Sequence, residues 1–328
     1  MERLVSGIKP TGGLTLGSYI GAIKQFVELH KSYESYIFVA DMHAITTPQE
    51  KKELRNNIRD MVAIYLACGL EPDNATIYIQ SENPYHAQLS WILECNTYLG
   101  ELNRMTQFKD KNRKEGSKSL SCGLYTYPVL MASDIILYDA DVVPVGEDQK
   151  QHVELTRNIV ERFNNKYGST FKMPRPIIPE AGARIKDLQN PKMKMSKSDS
   201  DSRGCILLLD EENVIRKKIM SAVTDSDNKI IFDEENKPGI SNLMMIYASL
   251  KDIKLDEVER KFVNSNYGEF KKAVADAVIN TLKPIQEKYK EIINSSLIDE
   301  ILNKGIEKVI PLAKDKCLEV QEKIGLGR

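Results

Sequence analysis

The fold is decided by residues 3–18, which read RLVSGIKPTGGLTLGS. Residues 3–5 are typical of a short first β-strand, and the glycines and the proline that follow favour a turn. From Ser18 onward apolar residues recur at helical spacing, and Ser18 suits the N-cap of that helix. A strand, a glycine-rich turn and a helix start together offer free N–H groups to an anion. The spacing is neither that of the Walker motif nor that of G-x-G-x-x-G, which argues against those two nucleotide sites.

Strand-like and helical segments alternate through the first half of the chain. Residues 36–40 and 75–80 are largely apolar runs, as expected of strands in a buried parallel sheet. Helical spacing covers residues 48–68 and 84–99. This order predicts an α/β fold with a doubly wound, Rossmann-like parallel sheet, whose ligands lie beyond the carboxyl ends of its strands.

The second half of the chain lacks this alternation and has helical segments instead. These segments lie at residues 210–223, 241–250, 255–263, 267–294 and 296–324. We therefore expect a Rossmann-like domain at residues 1–191 and an all-helical domain at residues 192–328, whose last helix can pack back on the first domain. The polar residues 109–121 are long enough to form a mobile loop.

Composition narrows the class of protein. The 328 residues carry a formal net charge of −1, which gives no sign of a nucleic-acid partner. The 5 cysteines are widely spaced, which favours reduced thiols over disulfides, zinc or an iron–sulfur cluster. The sequence has no signal peptide and no apolar run of membrane-spanning length, so we expect a cytoplasmic protein without a membrane partner.

A second motif lies in a polar segment rich in helix-breaking residues near the middle of the chain. Residues 194–198 read KMSKS, and residues 199–202 are polar as well. Two ammonium groups and two hydroxyls on one loop suit the binding of a polyphosphate whose charge moves during a reaction. A solvated lysine and serine loop is the alternative, and these residues alone do not separate the two.

A third feature is a carboxylate on an apolar helix face. Tyr127, Met131, Asp134 and Tyr138 share one face at helical spacing, and Pro128 suits the first turn of that helix. A buried carboxylate must find a donor or take up a proton, because burying it unpaired is costly. Recognition of a ligand and an internal salt bridge to an arginine or lysine both satisfy this requirement.

The two motifs together resemble the signatures of the class I aminoacyl-tRNA synthetases, which are a HIGH-like tetrapeptide and a KMSKS loop. Residues 15–18, TLGS, stand in the HIGH position, and residues 194–198 match KMSKS in full. Within that class the chain is most similar to the tryptophanyl enzymes of bacteria, from residue 4 to residue 328. The segments that carry this resemblance are DMHAIT at 41–46, GELNRMTQFK at 100–109, VPVGEDQKQH at 143–152, SAVTDS at 221–226 and PGISNL at 238–243.

The resemblance implies a two-step reaction. ATP activates L-tryptophan as the adenylate with release of pyrophosphate, and the amino acid is then transferred to the 3′ end of tRNA(Trp). It also implies a homodimer, an anticodon-binding role for the helical domain, and Mg²⁺ held by the ATP phosphates rather than by a protein metal site. Because a carboxylate nucleophile is already ionised at neutral pH, no general base is needed.

The resemblance assigns the tryptophan pocket residue by residue. Asp134 accepts the indole N–H, and Tyr127 and Gln149 hold the α-amino group. The other residues implied to line this pocket are Val5, Gly7, His43, Met131, Val143 and Val145. A site built to pair with a substrate donor rejects analogues that lack it by roughly 10⁴–10⁵.

The ATP site is assigned in the same way. Lys194 and Lys197 are expected to neutralise the leaving phosphates, with Lys111 as a third cation and Ser196 beside them. The residues implied to contact ATP are Lys9, Pro10, Thr11, Gly17, Ser18, Gly146, Glu147, Asp148, Ile185, Lys194, Met195, Ser196, Lys197 and Ser198.

Three residues depart from the family pattern. Ser18 replaces the usual Asn or His of the first signature, Lys9 replaces a common Gln, and Val5 replaces a frequent Phe. None of these changes removes a required chemical group, but each can alter ATP affinity or inhibitor sensitivity.

Two alternatives stay open on the sequence. A tyrosyl-type synthetase shares the fold and both signatures, and the face that carries Tyr127 and Asp134 imitates part of a phenol site. A non-catalytic RNA-binding or regulatory paralogue is the other alternative, although the intact KMSKS motif argues against it.

The histidines of this chain are expected to play different roles. His43 follows the second strand and is placed to contact a ligand, whereas His30 is expected to be exposed on the first helix. His86 is expected to be a structural residue at a helix start, and His152 to support the site from behind Gln149.

Overall fold

The computed structural model describes residues 1–10, 12–109, 121–146, 149–177, 184–196 and 203–328. The chain forms two compact units, and each is discontinuous in sequence. The first unit consists of Met1–Thr11, Phe26–Pro179 and Ser295–Arg328, and the second of Gly12–Gln25 and Glu180–Asn294. No helix in the described ranges is both long and apolar enough to cross a membrane.

The first unit is built on a five-stranded parallel sheet. Its strands are β1 Arg3–Ile8, β2 Glu34–Val39, β3 Ala75–Ile79, β4 Val142–Pro144 and β5 Arg175–Ile177. They lie in the order β3-β2-β1-β4-β5, and each neighbouring pair is parallel. The parallel sheet confirms the predicted α/β fold class. The first three strands coincide with predicted segments, whereas β4 and β5 were not predicted.

Helices complete the first unit around this sheet. They are α2 Lys24–Leu29, which begins in the second unit, α3 Asp41–Ala44, α4 Lys51–Ala67, α5 Tyr85–Glu94, α6 Leu99–Leu102, α7 Cys122–Ile136, α8 Lys150–Tyr167 and α13 Leu297–Ile324. Buried side chains of β1 to β4 and of α5, α6, α7, α8 and α13 form one hydrophobic core cluster.

Helix α13, the last helix, packs against β3 at the edge of the sheet. Gly305 permits this approach, because a Cβ atom at this position would lie 2.0 Å from the carbonyl oxygen of Ile77. Arg59 of α4 holds the start of α13, with Nη1 3.1 Å from the Asp299 carboxylate. Further along, Lys316 is nearly buried and pairs with Asp139 at 3.0 Å. The last helix is therefore an integral part of the sheet unit.

The second unit is mainly helical in its described residues. After a short helix α1 Leu16–Ser18 and a π-helical turn Tyr19–Ile23, it contains α9 Glu212–Met220, α10 Pro238–Lys251, α11 Leu255–Phe262 and α12 Tyr267–Ile292. The four longer helices begin and end within a few residues of the predicted segments. Tyr247, Phe262 and Phe270 bring α10, α11 and α12 together through aromatic ring contacts with centroids 4.8–6.1 Å apart.

Candidate active site

Helix α7 carries three of the candidate residues of the first unit, Tyr127, Met131 and Asp134. It begins at Cys122, where the Ser121 hydroxyl caps it by accepting the N–H of Leu124 at 3.2 Å. Pro128 therefore lies inside the helix, and the prediction that it occupies the first turn was wrong. Asp134 is buried on this helix, with only 2% of its surface exposed.

Asp134 accepts hydrogen bonds from three internal donors. Its Oδ2 accepts a hydrogen bond from His43 Nε2 at 2.7 Å, and its Oδ1 accepts from Gln80 Nε2 and His86 Nδ1, each at 2.7 Å. Burial alone would raise the pKa of Asp134, but the hydrogen bonds from His43 and His86 outweigh it and lower the pKa to about 2. The carboxylate is therefore ionised at neutral pH. No arginine or lysine of the described chain pairs with it.

Gln80 and His86 are residues that sequence reasoning missed. Gln80 comes directly after β3, just as Asp41 and His43 follow β2, and side chains beyond the carboxyl ends of parallel strands are the ones expected to meet a ligand. That positional rule would have found Gln80. His86 lies near the start of α5, where it was expected, but nothing in its spacing indicated a bond to a residue of α7.

Tyr127 joins the same region to α8. Its hydroxyl donates to Gln107 Oε1 at 2.7 Å and lies 3.0 Å from His152 Nε2. The His43 ring stands edge-on to the Tyr127 ring, with centroids 6.0 Å apart. Tyr127 and His43 are therefore in direct aromatic contact.

Lys9, one of the three departures from the family pattern, extends over the Tyr127 ring. Its Nζ lies 5.6 Å from the centre of the Tyr127 ring and 3.4 Å from the Thr46 hydroxyl oxygen. A cation over an aromatic face is attracted to the ring. The ammonium group of Lys9, which stands where the family commonly has the amide of Gln, therefore lies beside the Tyr127 ring.

The apolar candidate residues of the first unit are buried or half-buried. Val5, Val143 and Val145 are buried, and Met131 is half-buried on α7. Gly7 pairs with Phe38 across β1 and β2, and a Cβ atom there would lie 2.6 Å from the Phe38 ring. Only glycine fits at this position without displacing that ring.

The β4–α8 connection and the end of β1 supply the remaining described candidates of the first unit. Gln149 is the N-cap residue of α8, and its N–H donates to the carbonyl of Gly146 at 3.0 Å. Gly146 is exposed, whereas Pro10 is buried.

In the second unit the two signature motifs meet. Thr15 is the N-cap of α1, with its hydroxyl oxygen accepting the Ser18 N–H at 3.0 Å, so the prediction that Ser18 is the cap was wrong. A Cβ atom on Gly17 would lie 3.5 Å from Cβ of Ile185 and 3.6 Å from Cβ of Met195. Residues 15–18 therefore lie directly against the beginning of the KMSKS segment, about 180 positions further along the chain.

The KMSKS segment starts on the return arm of a hairpin. Lys186 and Lys194 form an antiparallel bridge, and the Met195 N–H donates to the Ile185 carbonyl at 3.0 Å. Asn242 of α10 holds the hairpin from behind, accepting the Lys186 N–H at 2.8 Å and donating to the Lys186 carbonyl at 2.9 Å. This contact joins the PGISNL segment to the residues beside KMSKS.

Asp187 organises the base of the same segment. Its buried carboxylate accepts the N–H groups of Gln189 and Asn190 at 2.7 and 2.8 Å. Gly204 packs on this carboxylate from the other side, since a Cβ atom there would lie only 2.2 Å from Asp187 Oδ2. Lys194 is exposed, Ser196 is half-buried and Met195 is buried above this base.

Several predicted site residues lie outside the described residues. They are Thr11, Lys111, Glu147, Asp148, Lys197 and Ser198. Their assigned roles stay predictions.

Comparison with known proteins agrees with these motifs. Residues 1–283 match the family described as tRNA synthetases class I (W and Y). The chain belongs to the class I tRNA synthetases.

This synthetase has full-length relatives in bacteria. It is 53% identical over 327 residues to "Tryptophan--tRNA ligase" of Bacillus subtilis (strain 168), covering 100% of this chain and 98% of that one. Among solved structures, tryptophanyl-tRNA synthetase from Mycoplasma pneumoniae matches with a TM-score of 0.93 at 35% identity, covering 100% and 98%. The enzyme from Campylobacter jejuni complexed with ADP and tryptophan matches with a TM-score of 0.81 at 35% identity, covering 99% and 100%.

Proposed function

We propose that this synthetase is a tryptophan–tRNA ligase. It activates L-tryptophan with ATP, releases pyrophosphate, and transfers the tryptophanyl group to the 3′ end of tRNA(Trp). The observation that carries this conclusion is the 53% identity to "Tryptophan--tRNA ligase" of Bacillus subtilis over the whole chain. A buried acceptor in the first unit and both class I signatures in the second unit support it.

Tryptophan selection is assigned to the ionised Asp134. Its Oδ1 already accepts two hydrogen bonds, whereas its Oδ2 accepts one, from His43. A carboxylate oxygen has two acceptor positions, so Oδ2 is the atom with capacity for the indole N–H. An ionised carboxylate can only accept hydrogen bonds. An amino acid without a ring donor would therefore leave the remaining acceptor position of this buried oxygen unfilled, and it would be rejected.

The walls of the amino-acid pocket are assigned to the side chains around Asp134. Tyr127 and Gln149 would hold the α-amino group, and Met131 would contact the ring through its polarisable sulfur. The remaining residues of this assignment are Val5, Gly7, His43, Val143 and Val145.

ATP binding and activation are assigned to the signature motifs and their neighbours. Lys194, Lys197 and Lys111 would stabilise the charge that accumulates on the leaving pyrophosphate. Mg²⁺ bound to the ATP phosphates would share that charge. The other residues of this assignment are Lys9, Pro10, Thr11, Gly17, Ser18, Gly146, Glu147, Asp148, Ile185, Met195, Ser196 and Ser198. The carbonyl of Ile185 accepts the Met195 N–H, and the adenine contact is assigned to the backbone of Ile185.

A homodimer is proposed from an exposed apolar surface on the first unit. Trp91, Tyr98 and Leu99 are 67%, 63% and 71% exposed. Beside them a mostly apolar cavity of about 410 Å³ is lined by Leu99, Leu102, Phe108 and Tyr125 among others. Large exposed apolar patches mark interaction sites. A second copy of the chain is the proposed occupant, and light scattering of the purified protein tests it, with Trp91→Asp expected to give a monomer.

Tryptophan-dependent exchange of pyrophosphate into ATP, run beside tyrosine, tests the main proposal. Exchange with tryptophan alone, followed by acylation of tRNA(Trp), is the expected result. Exchange with tyrosine instead would identify the tyrosyl alternative. A folded protein that shows no exchange with either amino acid would identify a non-catalytic paralogue.

A further inference from the structure

A chain of buried hydrogen bonds leads from the backbone to Asp134, and its direction can be read group by group. It begins at the start of α5, where the Tyr85 N–H donates to Asn83 Oδ1 at 3.1 Å. Because this bond fixes which end of the Asn83 amide is oxygen, the other end must be the NH₂ group. Asn83 Nδ2 accordingly donates to the Tyr138 hydroxyl oxygen at 2.8 Å.

The next link fixes the tautomer of His86. The Tyr138 hydroxyl lies 3.0 Å from His86 Nε2, and the Tyr78 hydroxyl lies 3.4 Å from the same nitrogen. The Tyr138 oxygen accepts from Asn83, so the hydroxyl hydrogens of Tyr138 and Tyr78 both need an acceptor. If Nε2 carried a hydrogen, only the two phenol oxygens of this cluster could accept; the two hydroxyls cannot both donate to each other, so one hydrogen would stay unpaired in a buried place, where an unmade hydrogen bond is costly. His86 Nε2 is therefore the acceptor.

The last link is the bond to the carboxylate. With Nε2 unprotonated, the ring hydrogen of His86 is on Nδ1, which donates to Asp134 Oδ1 at 2.7 Å. Gln80 donates to the same oxygen. Both acceptor positions of Oδ1 are thus occupied, and the carboxylate is held in one orientation, with Oδ2 as its remaining accepting atom.

We propose that His86 is a positioning residue for amino-acid selection: the relay Asn83–Tyr138–His86 holds Asp134 as a pure acceptor that presents Oδ2 to the ring N–H of the substrate. This inference rests on the proposed function, in which Asp134 reads the indole. His86 itself does not contact the amino acid. It acts by holding the plane of the carboxylate, so that one oxygen stays occupied by Gln80 and His86 while the other keeps an acceptor position for the substrate.

Two substitutions at His86 separate positioning from bulk packing. His86→Asn places an amide at the level of Nδ1 and keeps a donor toward Asp134. His86→Gln is longer, places its amide at the level of Nε2, and removes that donor. Both replace a buried ring by a smaller amide, so both are expected to lower the thermal midpoint by similar amounts.

The readout is discrimination between tryptophan and its analogue with sulfur in place of the ring N–H, measured as a ratio of kcat/KM in pyrophosphate exchange. We expect His86→Gln to lose about 10-fold of this discrimination, the loss typical of one hydrogen bond to a charged group. His86→Asn should stay within about 3-fold of the wild type, a difference well below one hydrogen bond. Equal discrimination in the two variants, whether both are normal or both impaired, would overturn the positioning role.

A second pair of substitutions, each of which removes only a hydroxyl group, tests the relay if neither His86 variant folds. Tyr138→Phe retains the ring and removes only the hydroxyl, and Tyr36→Phe makes the same change on the ring stacked 5.2 Å away, whose hydroxyl donates to Glu34. Tyr138→Phe should raise KM for tryptophan with kcat unchanged, and Tyr36→Phe should alter neither; identical behaviour of the pair contradicts the relay. If the wild-type protein were inactive with tryptophan, the proposed function itself would be refuted. Failure of the relay and failure of the proposed function are therefore distinguishable.

Discussion

Replacing Asp134 by asparagine changes one atom of a buried carboxylate that three side chains of the first unit contact. The amide oxygen is expected to face Gln80 and His86, because both of them are donors. The NH₂ group then faces His43, which can become the acceptor by moving its ring hydrogen to the other nitrogen. The protein can therefore fold, but the atom that should receive the indole N–H becomes a donor.

The magnitude follows from the pKa of the carboxyl group. A decrease from 3.8 to about 2 in a fully buried group corresponds to roughly 2–3 kcal/mol of stability at neutral pH. Because the folded-state pKa is the lower one, this stability is present above pH 3.8 and is lost as the pH falls toward 2. The wild type and Asp134→Asn should therefore differ in free energy of unfolding at pH 7 and converge in acid.

The functional loss is measured by pyrophosphate exchange at saturating ATP. Removing an acceptor from a hydrogen bond to a charged group costs about 1.5–3 kcal/mol, so kcat/KM for tryptophan should fall about 10- to 150-fold. The sulfur analogue lacks the ring donor and should be affected much less. A variant that still prefers tryptophan over the analogue as strongly as the wild type would refute the assignment of Asp134.

Two further substitutions test close backbone approaches, with Gly21→Ala as their matched control because no atom lies within 4 Å of a Cβ there. Gly305→Ala should lower the free energy of unfolding by about 1–3 kcal/mol in urea titrations, since the new methyl overlaps the Ile77 carbonyl; an unchanged midpoint would contradict the tight packing of α13. Gly204→Ala should push on the Asp187 carboxylate and slow pyrophosphate exchange, while tryptophan affinity by equilibrium dialysis stays normal. Weaker tryptophan binding with a normal rate would show that the base of the KMSKS segment has another role.

The parts of the fold that could be predicted are those with a local signal. Segments 3–5, 36–40 and 75–80 predict their strands correctly, because a short apolar run between turn residues is typical of a buried strand. Strands β4 and β5 have only three residues each, and Pro144 and Pro176 interrupt any apolar pattern there. Such short strands are stabilised by their neighbours in the sheet, which local sequence does not reveal.

In the candidate site, too, local chemistry could be predicted, whereas partners distant in the sequence could not. Chemistry alone requires a donor for Asp134, and that requirement was correct. The donors themselves stand 48, 54 and 91 positions away and come from three different elements. His30 is a plain error of the sequence reasoning: it was expected to be exposed and is buried, with Nδ1 2.7 Å from the Val27 carbonyl. Helical periodicity near the end of a short helix is a poor guide to exposure.

The position of α13 has a consequence for how the protein matures. The first unit needs residues 295–328 to complete its packing around β3, yet residues 180–294 belong to the other unit and are synthesised in between. A nascent chain on the ribosome therefore cannot complete its sheet unit until residues 295–328 have emerged from the exit tunnel. Until then the surface that α13 covers is open to chaperones.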